Sequence, residues 1–218
     1  PDGRYPVNFL LPRFPGVKAG PLASPNAVVT EDKREVSVDG VRLELHRIPG
    51  ESADHVVVWL PEQQVLFSGD HVYRCYPKIY PIRGGSYRDV EQWARAVRRL
   101  MEFKPRSMLF GHNHVPARDE IMPMLEKYAQ AIEHVYSETI KGMDQGKTPD
   151  ELAASVQLPD NLREEPYLGE FYGAIPWAVR SIFANKLGWF DGNPTNLVPL
   201  SPREDAEHMA RLAGGRHQ

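Results

Sequence analysis

Three short apolar segments lead into residues that bind metals, and this pattern constrains the fold more than any other feature of the chain. LFSGDH carries a run over 65–68 into Gly69 and Asp70. LFGHNH carries a run over 107–110 into Gly111, His112 and His114. HRIPGES brings a third segment to Glu51. Runs this short, bounded by glycine, read as strands rather than helices. Open sheets place their ligands at strand ends. Carboxylates and imidazoles are hard-to-borderline donors suited to Zn²⁺ or similar ions. A dense His-x-His-x-Asp-His run, which would complete a two-metal site, occurs nowhere in the 218 residues. The residues therefore read as half of a metallohydrolase site, with the other half carried elsewhere.

The remaining segments supply the layers around those strand ends. REVSVDGVRLELHRI alternates Val36, Val38, Val41, Leu43 and Leu45 about Asp39-Gly40. That turn pair accepts positive φ at both central positions, so a hairpin is predicted. The runs 56–60 and 65–68 are almost continuously apolar, which predicts burial on both faces. Ser86 is the expected cap of a helix over 87–103, where Val90, Trp93, Val97, Leu100 and Met101 recur at helical spacing. A longer helix over 118–143 is expected from Ile121, Leu125, Tyr128, Ile132, Val135 and Ile140. Strand, strand, helix, strand, helix is an α/β layered pattern.

The character changes after Lys147. Thr148-Pro149-Asp150-Glu151 is a capping box with proline at the first helical position, opening a short helix over 151–156. The spacing predicts a helix over 167–187 that kinks at Pro176. LGWFDGNPTNL follows as a turn-rich aromatic stretch, and Ser201-Pro202-Arg203-Glu204 caps a last helix. At the other end, Pro1, Pro6, Pro12, Pro15, Pro21 and Pro25 break up any regular element. Three regions result: an extended proline-rich arm over 1–30, an α/β part over 31–145 and a helical part over 146–218.

A net charge of −3 with mixed signs gives no reason to expect nucleic acid or an anionic membrane as partner. Cys75 is the only cysteine, so no internal disulfide forms; it is read as packing. No apolar run approaches the roughly 20 residues that a membrane-spanning helix needs. Pro1 in place of Met points to a fragment or a processed product, so the compartment stays open. Tyr167, Phe171, Tyr172, Trp177, Phe183, Trp189 and Phe190 crowd a short region. They exceed what a small helical appendage can bury, and an interface between copies is expected.

PGES, SGDH, IRGG, FGHNH and above all LGWFDGNP resemble the alkyl sulfatases of the metallo-β-lactamase superfamily, over roughly 45–215. The resemblance implies an α/β fold: half of a metallo-β-lactamase αββα sandwich over 31–145, then a helical dimerisation region over 146–218. It implies two zinc ions. Their His-x-His-x-Asp-His ligands would come from an upstream fragment or a second polypeptide. Glu51 matches a family position that ligates one zinc, where most of the superfamily has His. Asp70 matches the bridging carboxylate, although alkyl sulfatases usually carry Glu there. His112 would be the last ligand, with His114 as its rival for that role or as a substrate contact. Arg83 matches the arginine that contacts sulfate, and Asp70 and Arg83 would be the catalytic groups. Lys78 stands where the family usually has Asn, and Trp177 where it tends to place a substrate-contacting His. With Tyr80 they would line the substrate. His55 and His71 are read as orienting or exposed groups rather than ligands.

Sulfate-ester hydrolysis of a small anionic substrate is the leading expectation, in a homo-oligomer of the completed unit. Hydrolysis of another ester, thioester or lactam by the same machinery is the second, favoured by Asp70, Lys78 and Trp177. A non-catalytic dimerisation scaffold is the third, since the chain alone offers few donors.

Overall fold

Residues 27–81, 87–113 and 115–214 are described by the computed structural model. The proline-rich arm expected over 1–30 lies almost wholly outside them, as do Ser86, Arg83 and His114. Five strands form one mixed sheet in chain order: β1 (Lys33–Val38), β2 (Val41–Arg47), β3 (Val56–Leu60), β4 (Val65–Gly69) and β5 (Ser107–Phe110). The first three pairings are antiparallel and β4–β5 is parallel. Strands β2, β4 and β5 therefore run the same way, and their C-terminal ends share one edge. The β1–β2 turn is the expected one, with φ +49° at Asp39 and +79° at Gly40.

Between β4 and β5 the chain crosses over through helix α1 (Val90–Glu102). The cap is Asp89, whose side chain accepts from the Gln92 amide at 2.9 Å, and not the expected Ser86. Aspartate one residue ahead of an apolar-periodic run satisfies the orphan amides directly. Helix α2 (Ile121–Asp144) packs against α1 through their apolar stripes, Trp93, Val97 and Leu100 sharing one core with Leu125, Tyr128 and Ile132. Arg98 adds a two-pronged bond to Glu133 at 2.8 and 2.9 Å and a contact with Glu126.

The sheet is covered on one face. Val57, Trp59, Leu66 and Met108 belong to the same core as α1 and α2, and Phe103 at the end of α1 lies 5.4 Å from the Trp59 ring. The opposite face carries Leu43, Leu45, Val58, Phe67 and Leu109, aligned across the strands. There Phe67 is 41% exposed and its neighbours are half-buried. Burial of β3 and β4 on both faces, expected from their composition, is thus not what the described residues provide. Among the described residues helices cover one side, and a strand's composition does not say which element covers the other.

Beyond α2 come α3 (Pro149–Ser155), α4 (Asp160–Arg163), α5 (Ile175–Leu187) and α6 (Pro202–Leu212), with a 3-10 turn at Pro194–Asn196. Both capping boxes form as expected. The helix expected over 167–187 is instead confined to α5. Pro176 lies in its first turn and starts the helix rather than kinking it. Residues 169–173 stay out of the helix because their two ends are tied to Tyr76: Tyr76 N–H donates to the Gly169 carbonyl at 2.9 Å and Gly173 N–H to the Tyr76 carbonyl at 3.1 Å, with a bend between them in which Phe171 N–H donates back to Gly169. A Cβ at Gly173 would collide with the Pro77 carbonyl, so this strap needs glycine. Helix α5 packs on α2 and α3. Phe171, Trp189, Val198 and Leu212 remain exposed, whereas Phe183 is buried.

The Thr148 cap joins the helical region to α2. Thr148→Ala should lower unfolding free energy by about 1 kcal/mol in a urea titration. A change below a few tenths would show that tertiary packing alone holds α3.

Candidate metal centre

Parallel pairing of β4 with β5 builds the site. Gly111 N–H donates to the Gly69 carbonyl at 2.9 Å, one step beyond the strand ends. Asp70 and His112 follow immediately, and His112 Nε2 comes within 3.4 Å of Asp70 Oδ2. A Cβ at Gly111 would collide with Asp70 Oδ1, so glycine is needed for this approach. The Asp70 side chain is 32% exposed and that of His112 68%, so the pair faces outward.

Glu51 lies in the turn after β2, at the same sheet edge. Its carboxylate is 13% exposed and held from two sides. Arg88 pairs with Oε1 at 2.6 Å, and the Tyr73 hydroxyl donates to Oε2. The Tyr73 ring is stacked on His112, with centroids 6.3 Å apart. Tyr73 thus links Glu51 to the Asp70–His112 pair. Burial, then the bond to Glu51, pushes the Tyr73 hydroxyl far above its ordinary range, so it remains a protonated donor. Among the described residues no three His, Cys, Asp or Glu side chains form a complete metal-holding group. The donor set nevertheless suits a cation: Asp70 and His112 converge, and each Glu51 oxygen keeps a lone pair beyond its present bond.

His71 is fully buried beneath these residues. Its Nδ1 faces the Ser68 carbonyl at 2.8 Å and its Nε2 the Ile48 carbonyl at 2.7 Å, so the ring fills the space between the bases of the Glu51 and Asp70 turns, its neutral form donating to one of the two carbonyls. His55 packs on it with ring centroids 3.9 Å apart and bonds the same Ser68 carbonyl at 3.1 Å. Both therefore brace the turns through backbone carbonyls. Burial lowers the His71 imidazole to about 4, and the facing carbonyls do not offset it.

The residues expected to line the substrate lie in two further contacts. Lys78 is buried with Nζ 4.8 Å from the centre of the Tyr172 ring, and Tyr172 meets Tyr73 edge-on at 5.3 Å. Lys78 thus connects to the Glu51–His112 cluster through two aromatic rings. Tyr80 is buried and packs perpendicular to Trp177 at 5.3 Å, with Trp177 54% exposed. Arg83 and His114 lie outside the described residues. Cys75 is buried and unbridged, as its packing role requires.

Sequence reasoning did not find Tyr73 or Arg88. Nothing in periodicity marks them, because both act by reaching a carboxylate distant in the chain. A tyrosine three residues past Asp70 and an arginine just ahead of a helix cap were the only local signs.

Residues 2–112 match the family model of the metallo-beta-lactamase superfamily, and residues 148–218 match the alkyl sulfatase dimerisation model. A linear primary-alkylsulfatase of Pseudomonas is 33% identical over 85% of this chain and 36% of its own length. An alkyl/aryl-sulfatase of Saccharomyces cerevisiae is 28% identical over 89% of this chain and 31% of its own. The solved stereoselective inverting sec-alkylsulfatase of Pseudomonas superposes with a TM-score of 0.83 at 27% identity, over 89% of this chain and 32% of that one. The chain thus spans about a third of the length of the relatives it matches.

Folded His71 resists protonation down to about pH 4, whereas the unfolded residue takes up a proton near 6.5. Its contribution is complete above pH 6.5 and is lost as pH falls towards 4, by about 3 kcal/mol in all. Urea denaturation of metal-free protein across that window should show a steeper loss in the wild type than in His71→Gln. Equal slopes would remove His71 as the origin.

Proposed function

Since the chain belongs to the metallo-beta-lactamase superfamily, in its alkyl sulfatase branch, we propose that it carries the C-terminal half of a metal-dependent sulfate-ester hydrolase. The observation that supports this most directly is the meeting of Asp70 and His112 at adjacent strand tips, with Glu51 tied to them through Tyr73. Glu51, Asp70 and His112 would hold zinc from this side. A segment with the His-x-His-x-Asp-His motif, in an upstream piece or a partner chain, would complete the site. The half-covered apolar face through Leu45, Val58 and Phe67 offers that segment a place to pack.

Bound zinc would supply an activated water near neutral pH and a Lewis acid for the ester oxygens. Asp70 is suited to join two cations because it has two oxygens. Arg83 would grip the sulfate, since a planar guanidinium donates two parallel hydrogen bonds to an oxyanion. Lys78 would add positive charge beside it, held in place by Tyr172. Tyr80 and Trp177 would form an apolar wall for the alcohol portion. Sulfate leaves readily, so holding the ester in line would matter as much as proton transfer. Tyr73 would take no proton; it orients Glu51. The dimerisation match supports oligomerisation, and exposed Phe171, Trp189, Val198 and Leu212 give copies an apolar surface to share.

The protein, purified with any polypeptide that accompanies it, should contain zinc and release sulfate from dodecyl sulfate. Asp70→Ala and His112→Ala should each lose metal and about 100-fold or more of the rate. Intact mass spectrometry should find the missing histidines in a longer parent chain or a companion. Faster turnover of a lactam than of dodecyl sulfate would move the assignment to another hydrolase, and preparations that never bind metal would leave a dimerisation scaffold.

A further inference from the structure

Arg88 lies between the candidate metal donors and the substrate-side segment, and its guanidinium reaches both. One amino group pairs with Glu51 Oε1 at 2.6 Å, in a contact where the side chains are 16% and 13% exposed. The other donates to the backbone carbonyl of Lys78. The guanidinium lies over the Trp93 ring, 5.8 Å from its centre, and the Trp93 indole donates to the His71 carbonyl at 2.9 Å. Arg88 immediately precedes Asp89, the cap of α1, so its backbone is anchored by a helix start.

We infer that Arg88 is a positioning residue that sets Glu51 and the Lys78 segment together, so that metal donor and anion-binding loop share one anchor. This rests on the hydrolase reading above. A carboxylate held by one hydroxyl can swivel about its last bond. With Tyr73 on Oε2 and Arg88 on Oε1, the carboxylate plane is fixed and its free lone pairs keep one direction. The same cation offsets the charge that Glu51 adds to a mostly buried place. Lysine would supply the charge without the rigid fork, so it could not hold the Glu51 oxygen and the Lys78 carbonyl in one plane. Among the described residues Arg88 bonds Glu51 and the Lys78 carbonyl rather than the Asp70–His112 pair, so it acts through Glu51 and through Lys78.

The test compares Arg88→Gln, Arg88→Lys, Glu51→Gln and the Arg88→Gln/Glu51→Gln double variant in the complete, metal-loaded protein. Zinc affinity is read by chelator competition, melting temperature after stripping the metal, and kcat and KM on dodecyl sulfate. Arg88→Gln should weaken zinc binding by about 10–100-fold, the range found for groups that orient metal ligands. It should also raise KM, because the Lys78 segment is released. Arg88→Lys should fall between wild type and Arg88→Gln in zinc affinity, and it carries the comparison if Arg88→Gln does not fold. In the Glu51→Gln background, Arg88→Gln should cost less than about threefold more in zinc affinity, because towards the metal the two act through one contact, while the rise in KM through Lys78 should persist. A lowered melting temperature with unchanged zinc affinity and KM would reduce Arg88 to a structural ion pair and overturn the inference. Independent, multiplying losses of zinc affinity in the double variant would overturn it too. A wild type that binds no zinc would overturn the hydrolase reading, and this inference with it.

Discussion

Everything at the candidate site depends on the parallel pairing of β4 and β5. The bond from Gly111 N–H to the Gly69 carbonyl extends the ladder one step past the strands and fixes the register of the two turns beyond it. A shift by one residue would turn Asp70 or His112 to the opposite face. The crossover through α1 makes the parallel pair possible, and the α1–α2 core holds the crossover in place. The helices are remote from the chemistry but determine where the donors sit.

Around that pairing the chain invests buried polar contacts rather than exposed ones. His71 spans two carbonyls at the feet of the Glu51 and Asp70 turns, Tyr73 joins Glu51 to His112, and Arg88 joins Glu51 to the Lys78 segment. Each contact ties together two segments far apart in sequence. Preorganised donors of this kind fix geometry before a ligand arrives. The covered sheet face and these braces form one rigid base. The half-covered face and the outward-facing Asp70–His112 pair lie on the open side of that base, where the proposed completing segment would pack.

Local chemistry in the sequence was enough for several elements. Asp39-Gly40 made a hairpin, and Thr148 and Ser201 made capping boxes, because those signals act within four residues. The adjacency of Asp70 and His112 was also legible, since both directly follow short apolar runs that must share a sheet. Errors arose where a distant partner decided. Pro176 was read as a kink because the bonds of Gly169 and Gly173 to Tyr76, more than 90 residues away in sequence, cannot be seen from helical spacing. The helix expected over 87–103 with Ser86 as its cap begins instead at Val90 behind Asp89, since serine and aspartate are both common caps and local spacing does not separate them. Burial on both faces of β3 and β4 was read from composition, which records apolarity but not what covers it. Arg88 and Tyr73 went unnoticed because an arginine or a tyrosine in a loop carries no signal until its carboxylate partner is known.

Anomalous diffraction at the zinc edge, from crystals of the complete zinc-loaded protein, tests the central claim most directly. The account expects zinc about 2.0–2.2 Å from donor atoms of Asp70 and His112, with Glu51 on one of the ions. Zinc bound elsewhere, with Asp70 and His112 still facing only each other, would contradict it.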